Sequence, residues 1–154
     1  YGDGGYVVAG SKGTILTSAD GSEWTKRVSG VDGSPIELRG VAYGSKGYVV
    51  VGSDGKILVS TDGVNWKPSA SGTANDLWTV TNCGGQYVTT GALDSPERSR
   101  ITHRRIYFSA DGEKWSAMSM AEKFPFYGAA CVGDRTLVVV GRKIMQSEPL
   151  PGAK

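Results

Sequence analysis

The chain is predicted to be all-β, a β-propeller seen as about three and a half four-stranded blades, on three observations. A pattern Ser-x-Asp-Gly-x-x-Trp occurs three times, in residues 18–24, 60–66 and 109–115. Its copies are spaced by 42 and 49 residues, counted from Trp24 to Trp66 and from Trp66 to Trp115. Four short strands in a unit of roughly 40–50 residues is the period of a propeller blade. No segment carries a helical apolar period.

The second unit is the fullest. Its first run is Leu38 to Tyr43, its second Gly47 to Gly52, its third Lys56 to Ser60, and its fourth starts at Asn65. Four strands a to d, separated by glycine turns, account for it. The first unit has b from Tyr6, c from Thr14 and d from Glu23, and lacks a. The third has a from Leu77, b from Tyr87, c from Ile106 and d from Lys114. The fourth has a from Phe126, b from Leu137 and c from Ile144, and there Glu148-Pro149 breaks the pattern. The blades are expected at 1–28, 37–70, 76–118 and 125–147, with 148–154 as an irregular tail. The b runs are apolar on successive residues, which suits strands covered on both faces by stacked neighbours. An arc of this size needs further blades from the rest of a longer chain or from another chain.

The repeated pattern explains itself locally. Gly21, Gly63 and Gly112 supply positive φ without a Cβ clash, and Asp20, Asp62 and Asp111 accept bonds from nearby backbone N–H groups. Ser18, Ser60 and Ser109 assist, and Trp24, Trp66 and Trp115 lay their rings across the hairpins. The three carboxylates sit at the same turn of different blades and cannot converge on one substrate, so they are read as structural.

Composition excludes more than it selects. Across 154 residues the formal net charge is +2, which gives no overall argument for a nucleic acid or an anionic membrane as partner. No apolar run approaches the roughly 18 residues of a membrane span. One histidine rules out a His-rich metal site. No Gly-x-Ser-x-Gly elbow occurs, and Gly2-Asp3-Gly4-Gly5 and Gly44-Ser45-Lys46-Gly47 read as a–b turns rather than phosphate loops. No catalytic residue, metal or cofactor is expected. Cys83 and Cys131 hold nearly matching repeat positions and are read as small buried residues rather than a disulfide; the sequence does not fix whether they bond.

Three copies of Ser-x-Asp-Gly-x-x-Trp in c–d hairpins resemble the Asp-box (BNR) repeat of sialidase-like and photosystem II assembly-factor-like propellers, although one residue shorter between Asp and Trp than the usual spelling. The resemblance covers nearly the whole chain. That family holds glycosidases, glycan-binding proteins and non-enzymatic assembly factors, so it fixes no single function. It implies an extracytoplasmic setting (periplasmic, secreted or lumenal) and places the Asp-boxes opposite the sialidase active site.

Function is expected where the repeat is broken. Gly10 to Ile15 and Gly52 to Ile57 each span five residues, but Gly91 to Ile106 spans fifteen. The insertion, 92–105, holds Arg98, Arg100, His103, Arg104 and Arg105, a basic patch on a nearly neutral protein. Insertions in repeat proteins collect on one face, often the binding face, and arginine's planar fork suits carboxylate, phosphate or sulfate. Arg39, Trp78 and Tyr127 share one position just inside strand a on the same face, either ringing a channel mouth or packing between blades. The expectation is a non-catalytic recognition or scaffold propeller that holds a protein or an anionic glycan on this face. The alternative is part of a sialidase-like glycoside hydrolase.

Overall fold

Four antiparallel meanders follow one another along the chain, in a computed structural model that describes residues 1–32, 35–92, 105–119, 126–133, 135–141 and 144–146. The first sheet is β1 (Tyr6–Ala9), β2 (Ile15–Ser18) and β3 (Thr25–Arg27). The second is β4 (Leu38–Gly44), β5 (Gly47–Gly52), β6 (Lys56–Ser60) and β7 (Lys67–Ala70). The third is β8 (Asp76–Cys83), β9 (Gln86–Ala92), β10 (Arg105–Ser109) and β11 (Ser116–Ser119). The fourth is β12 (Phe126–Val132), β13 (Thr136–Gly141) and β14 (Ile144–Gln146). The first strands lie side by side, β4 against β8 and β8 against β12, so each sheet packs face to face on the next. This is the propeller arrangement.

Three apolar layers fill the junctions. Val7, Ile15, Tyr48, Val50 and Leu58 join the first sheet to the second. Val49, Val51, Ile57, Val59, Tyr87 and Tyr107 join the second to the third. Val88, Ile106, Phe126, Leu137 and Val139 join the third to the fourth. Every residue of β5 is buried, as its unbroken apolar run requires of a strand covered on both sides.

The turns are built as their sequence demands. In the second copy, the Gly63 N–H donates to Ser60 Oγ at 2.9 Å, and the Val64 and Asn65 N–H groups donate to Asp62 Oδ1 at 2.8 Å each. The Trp66 Nε1–H donates to the Gly63 carbonyl at 2.9 Å, which pins the ring across the turn. Copies one and three repeat the set around Asp20 and Asp111. Each tryptophan stands one residue before the outer strand rather than inside it. The Asn65 backbone N–H, with the Asn65 amide and the Val64 N–H, holds the Asp62 carboxyl well below the ordinary carboxylate range. The Ser22 N–H does the same for Asp20, and the Lys114 N–H for Asp111. Because these folded pKa values are depressed, the stabilisation is present above the ordinary carboxylate pKa and is lost as pH falls through the folded values.

Gly63 has φ +75°, and a Cβ there would press on the Tyr48 ring at 3.3 Å. Gly63→Val is therefore expected to cost ~1–3 kcal/mol in urea unfolding, the range for a side chain forced into the left-handed region. A change within a few tenths would show that the turn relaxes.

The junctions also carry a polar latch. The Tyr48 hydroxyl donates to the Gly5 carbonyl at 3.0 Å and accepts from the Gly4 N–H, also at 3.0 Å. The Tyr87 hydroxyl donates to the Gly47 carbonyl at 2.7 Å. Each tyrosine thus clips its sheet to the first hairpin of the sheet before. At the third junction the equivalent residue is Leu137, and the link there is covalent: Cys83 and Cys131 form a disulfide. This corrects the expectation of two small buried residues. Cys83 aligns with Gly44 and Cys131 with Tyr43 and Asn82. A Cβ on Gly2 would overlap the Tyr43 ring, and one on Gly44 would overlap the Asn82 amide. The last residue of one inner strand thus meets the second-last of the next, and the one-position offset between the two cysteines brings their sulfurs together.

Candidate functional site

Each inner strand carries one extra residue. The ladder shifts between Leu38 and Gly40, between Leu77 and Thr79, and between Phe126 and Gly128. The residues standing out of register are Arg39, Trp78 and Tyr127. A bulge re-aims the side chain it carries, and bulges concentrate beside binding sites.

Because the three strands are neighbours, the side chains meet. The Arg39 guanidinium carbon lies 4.2 Å from the Trp78 ring centroid, a cation–π contact across the second junction. Tyr127 meets Trp78 edge-on, with centroids 6.3 Å apart and planes at 84°, across the third. The trio therefore forms one ridge over three sheets. Tyr127 is 59% exposed, whereas Trp78 is half-buried, and its Nε1 has no partner among the described residues.

Asp76 fixes the Arg39 end. Its Oδ2 stands 2.6 Å from Arg39 Nη1, and its Oδ1 accepts from the Asp54 N–H at 3.0 Å. Nη1 forms no aligned N–H bond among the described residues, so its contact with Oδ2 is mainly one of charge. Asp54 lies in the 3-10 turn Ser53–Gly55 between β5 and β6, with φ 53° and ψ 33°. A buried carboxylate of the third sheet thereby ties down both an arginine and a turn of the second. Asp76 shares its repeat position with Glu37, each an acid directly before Leu77 or Leu38 and two residues before the bulged one, and sequence reasoning passed over it. Its one visible signal was an acid opening an apolar strand beside a tryptophan.

The insertion roots next to the ridge. Asp76 pairs with Ala92 and Leu77 with Gly91, while Arg105 pairs with Gly91 from the other side. Ala92 and Arg105 are strand residues rather than loop, so the insertion proper is 93–104. Arg105 is exposed. Arg98, Arg100, His103 and Arg104 lie outside the described residues.

Asp20, Asp62 and Asp111 each bond within their own turn and are exposed. At that opposite end a cleft of about 280 Å³ opens between the second and third sheets, lined among others by Lys46, Trp66, Lys67, Asp111 and Glu113. Lys67 pairs with Glu113 there. Both partners are exposed, and the cleft's two lysines and two carboxylates leave it without a net charge to select a ligand.

No protein-family model matches this chain, and no curated protein matches it. Among solved structures, it is similar to that of YCF48 bound to D1 peptide, with a TM-score of 0.66 and 16% identity. The match covers 93% of this chain and 48% of that one, so this chain spans about half its length. A likeness at that identity speaks for architecture alone, and the architecture is that of a β-propeller.

Proposed function

We propose that this is a non-catalytic, protein-binding propeller of the Asp-box (BNR) repeat type, part of a larger ring, which takes a peptide segment across the ridge of Arg39, Trp78 and Tyr127. One observation carries the reading: three bulges in three adjacent inner strands turn three large side chains into one continuous surface. Regular packing needs no such repeated departure. Asp76 offsets the Arg39 charge, so the ridge suits an apolar or aromatic side chain, and Tyr127 supplies the exposed platform. The arginines of the insertion, Arg98 to Arg105, then meet acidic groups of the same segment. YCF48 with its bound D1 peptide is a propeller of similar fold in contact with a peptide. The Cys83–Cys131 disulfide suits an oxidising, extracytoplasmic compartment.

Selection from a displayed peptide library, followed by titration, tests this. Tyr127→Ala is expected to weaken the selected peptide at least about thirty-fold, the ~2 kcal/mol of an interface hot spot, with the melting temperature unmoved. Arg104→Ala with Arg105→Ala is expected to flatten the salt dependence. Unchanged binding in both variants sinks the reading. Binding of sialylated glycans on an array, with no peptide selected, favours the glycan or glycosidase alternative instead.

A further inference from the structure

The cleft at the Asp-box end carries residues that the repeat does not need. Lys46, Thr61, Lys67 and Glu113 are among those that line it. At the same four repeat positions the other two units have Gly4 and Gly85, Ala19 and Ala110, Thr25 and Ser116, and Ser22 and Val64. Small or apolar side chains therefore suffice for the turns and hairpins. Between the second and third sheets all four positions turn longer or more polar, and they do so beside the Trp66 ring.

The walls of the cleft are fixed. The Trp66 Nε1–H is bonded to the Gly63 carbonyl, and the ring rests on Tyr48 with centroids 6.3 Å apart. On the third sheet the Gly112 and Glu113 carbonyls lie 3.1 and 3.2 Å from Ser69 Oγ, a hydroxyl of β7 that ties the two sheets together. Asp111 Oδ1 accepts from the Ser109 hydroxyl and from the Glu113 and Lys114 N–H groups. Its Oδ2 takes no hydrogen bond among the described residues, whereas Asp62 Oδ2 is occupied by the Asn65 amide at 2.7 Å. Lys46 forms no ion pair among the described residues. An acceptor and a donor are thus both left open.

Charge and polarity narrow the ligand. A cation would meet Lys46 and Lys67, and an anion Asp111 and Glu113, so neither gains from the site as a whole. A wholly apolar ligand would take those four groups out of water without giving them partners. A hydroxyl both donates and accepts, so it serves a carboxylate and an ammonium alike. The space of about 280 Å³ lies at the small end of ligand clefts, which run from ~300 Å³ upward, and it suits one ring rather than a long chain.

We propose that this cleft binds an uncharged sugar residue, its apolar face against Trp66 and its hydroxyls held by Asp111 Oδ2, Glu113 and Lys46. The Lys67–Glu113 pair is exposed and weak, so a hydroxyl enters between its partners readily. The site lies at the end of the sheets opposite the ridge. It goes beyond the peptide-binding reading and does not depend on it.

Titration with glucose, galactose, mannose and N-acetylglucosamine, followed by the amide chemical shifts of the labelled protein, tests the proposal together with an array of uncharged glycans. The sugar that binds is expected to shift the amides of Lys46, Trp66 and Glu113 and to leave those of Arg39 and Trp78 in place. Binding of a free hexose marks a single-sugar ligand, and binding on the array alone marks a sugar carried by a larger molecule. Glu113→Val and Lys46→Gly install residues that other units carry at these positions, so circular dichroism should stay native. Each is expected to weaken the bound sugar at least about ten-fold, as loss of a hydrogen bond to a charged group does. A peptide selected on the ridge is expected to bind alongside the sugar without competing. No uncharged sugar bound in either format, or binding confined to charged glycans, overturns the proposal. So does wild-type affinity in either variant, or competition between sugar and peptide.

Discussion

Replacing both cysteines, Cys83→Ser with Cys131→Ser, is expected to lower the unfolding free energy by about 4 kcal/mol. The bond closes a loop with a sequence separation of 48, and the chain-entropy cost removed from the unfolded state scales with the logarithm of that length. For a domain whose total stability is of the order of 5–15 kcal/mol, this is a large fraction. The loss falls on the third junction, where Leu137 cannot supply the hydroxyl that Tyr48 and Tyr87 bring to the other two. Urea unfolding of the double variant, and of wild type held reduced by a dithiol, should agree. A loss under ~1 kcal/mol in both would mean that the apolar layer around Val88, Ile106 and Phe126 holds the junction unaided.

Arg39→Met comes second in expected size. It keeps much of the side chain's length but leaves the Asp76 carboxylate, 8% exposed, without the arginine charge, held by the Asp54 N–H. Removing one partner of a buried pair costs ~3–5 kcal/mol, and the low end applies because Arg39 is 22% exposed. Asp76→Asn keeps an acceptor for the Asp54 N–H and drops the charge, so combining it with Arg39→Met should recover part of the loss. If Arg39→Met alone unfolds within ~0.5 kcal/mol of wild type, Asp76 is hydrated and does not position the ridge.

What could be read from the sequence was whatever a few neighbouring residues decide. The side chains of Ser60, Asp62 and Trp66 bond within residues 60–66, to one another and to Gly63, Val64 and Asn65, so the turn was determined by its spelling. The inner face of each sheet was equally readable, since Val49, Val50 and Val51 admit no exposed side. The site was legible only as a shared position. Arg39, Trp78 and Tyr127 could be aligned, but a bulge is a relation between two strands, and no local run of residues announces it. Asp76 was invisible for a related reason, because its partners come from another sheet. The disulfide required knowing that the end of one inner strand meets the second-last residue of the next, which repeat alignment alone places one step out of line. The insertion's strand roots shifted for a simpler reason: Ala92 pairs with Asp76 of β8 and Arg105 with Gly91 of β9, each one residue beyond the apolar run.

The two tyrosine latches and the disulfide show that each seam between sheets is an independent fastening with its own chemistry. A hydroxyl on a carbonyl opens and recloses with thermal motion. A sulfur–sulfur bond does not, and in the same molecule it makes one seam permanent under oxidising conditions and an ordinary apolar contact under reducing ones. The third and fourth sheets carry Trp78 and Tyr127 across that seam, so the half of the ridge with the exposed platform rests on the fastening that cannot slip, while the Arg39 half rides on one that can.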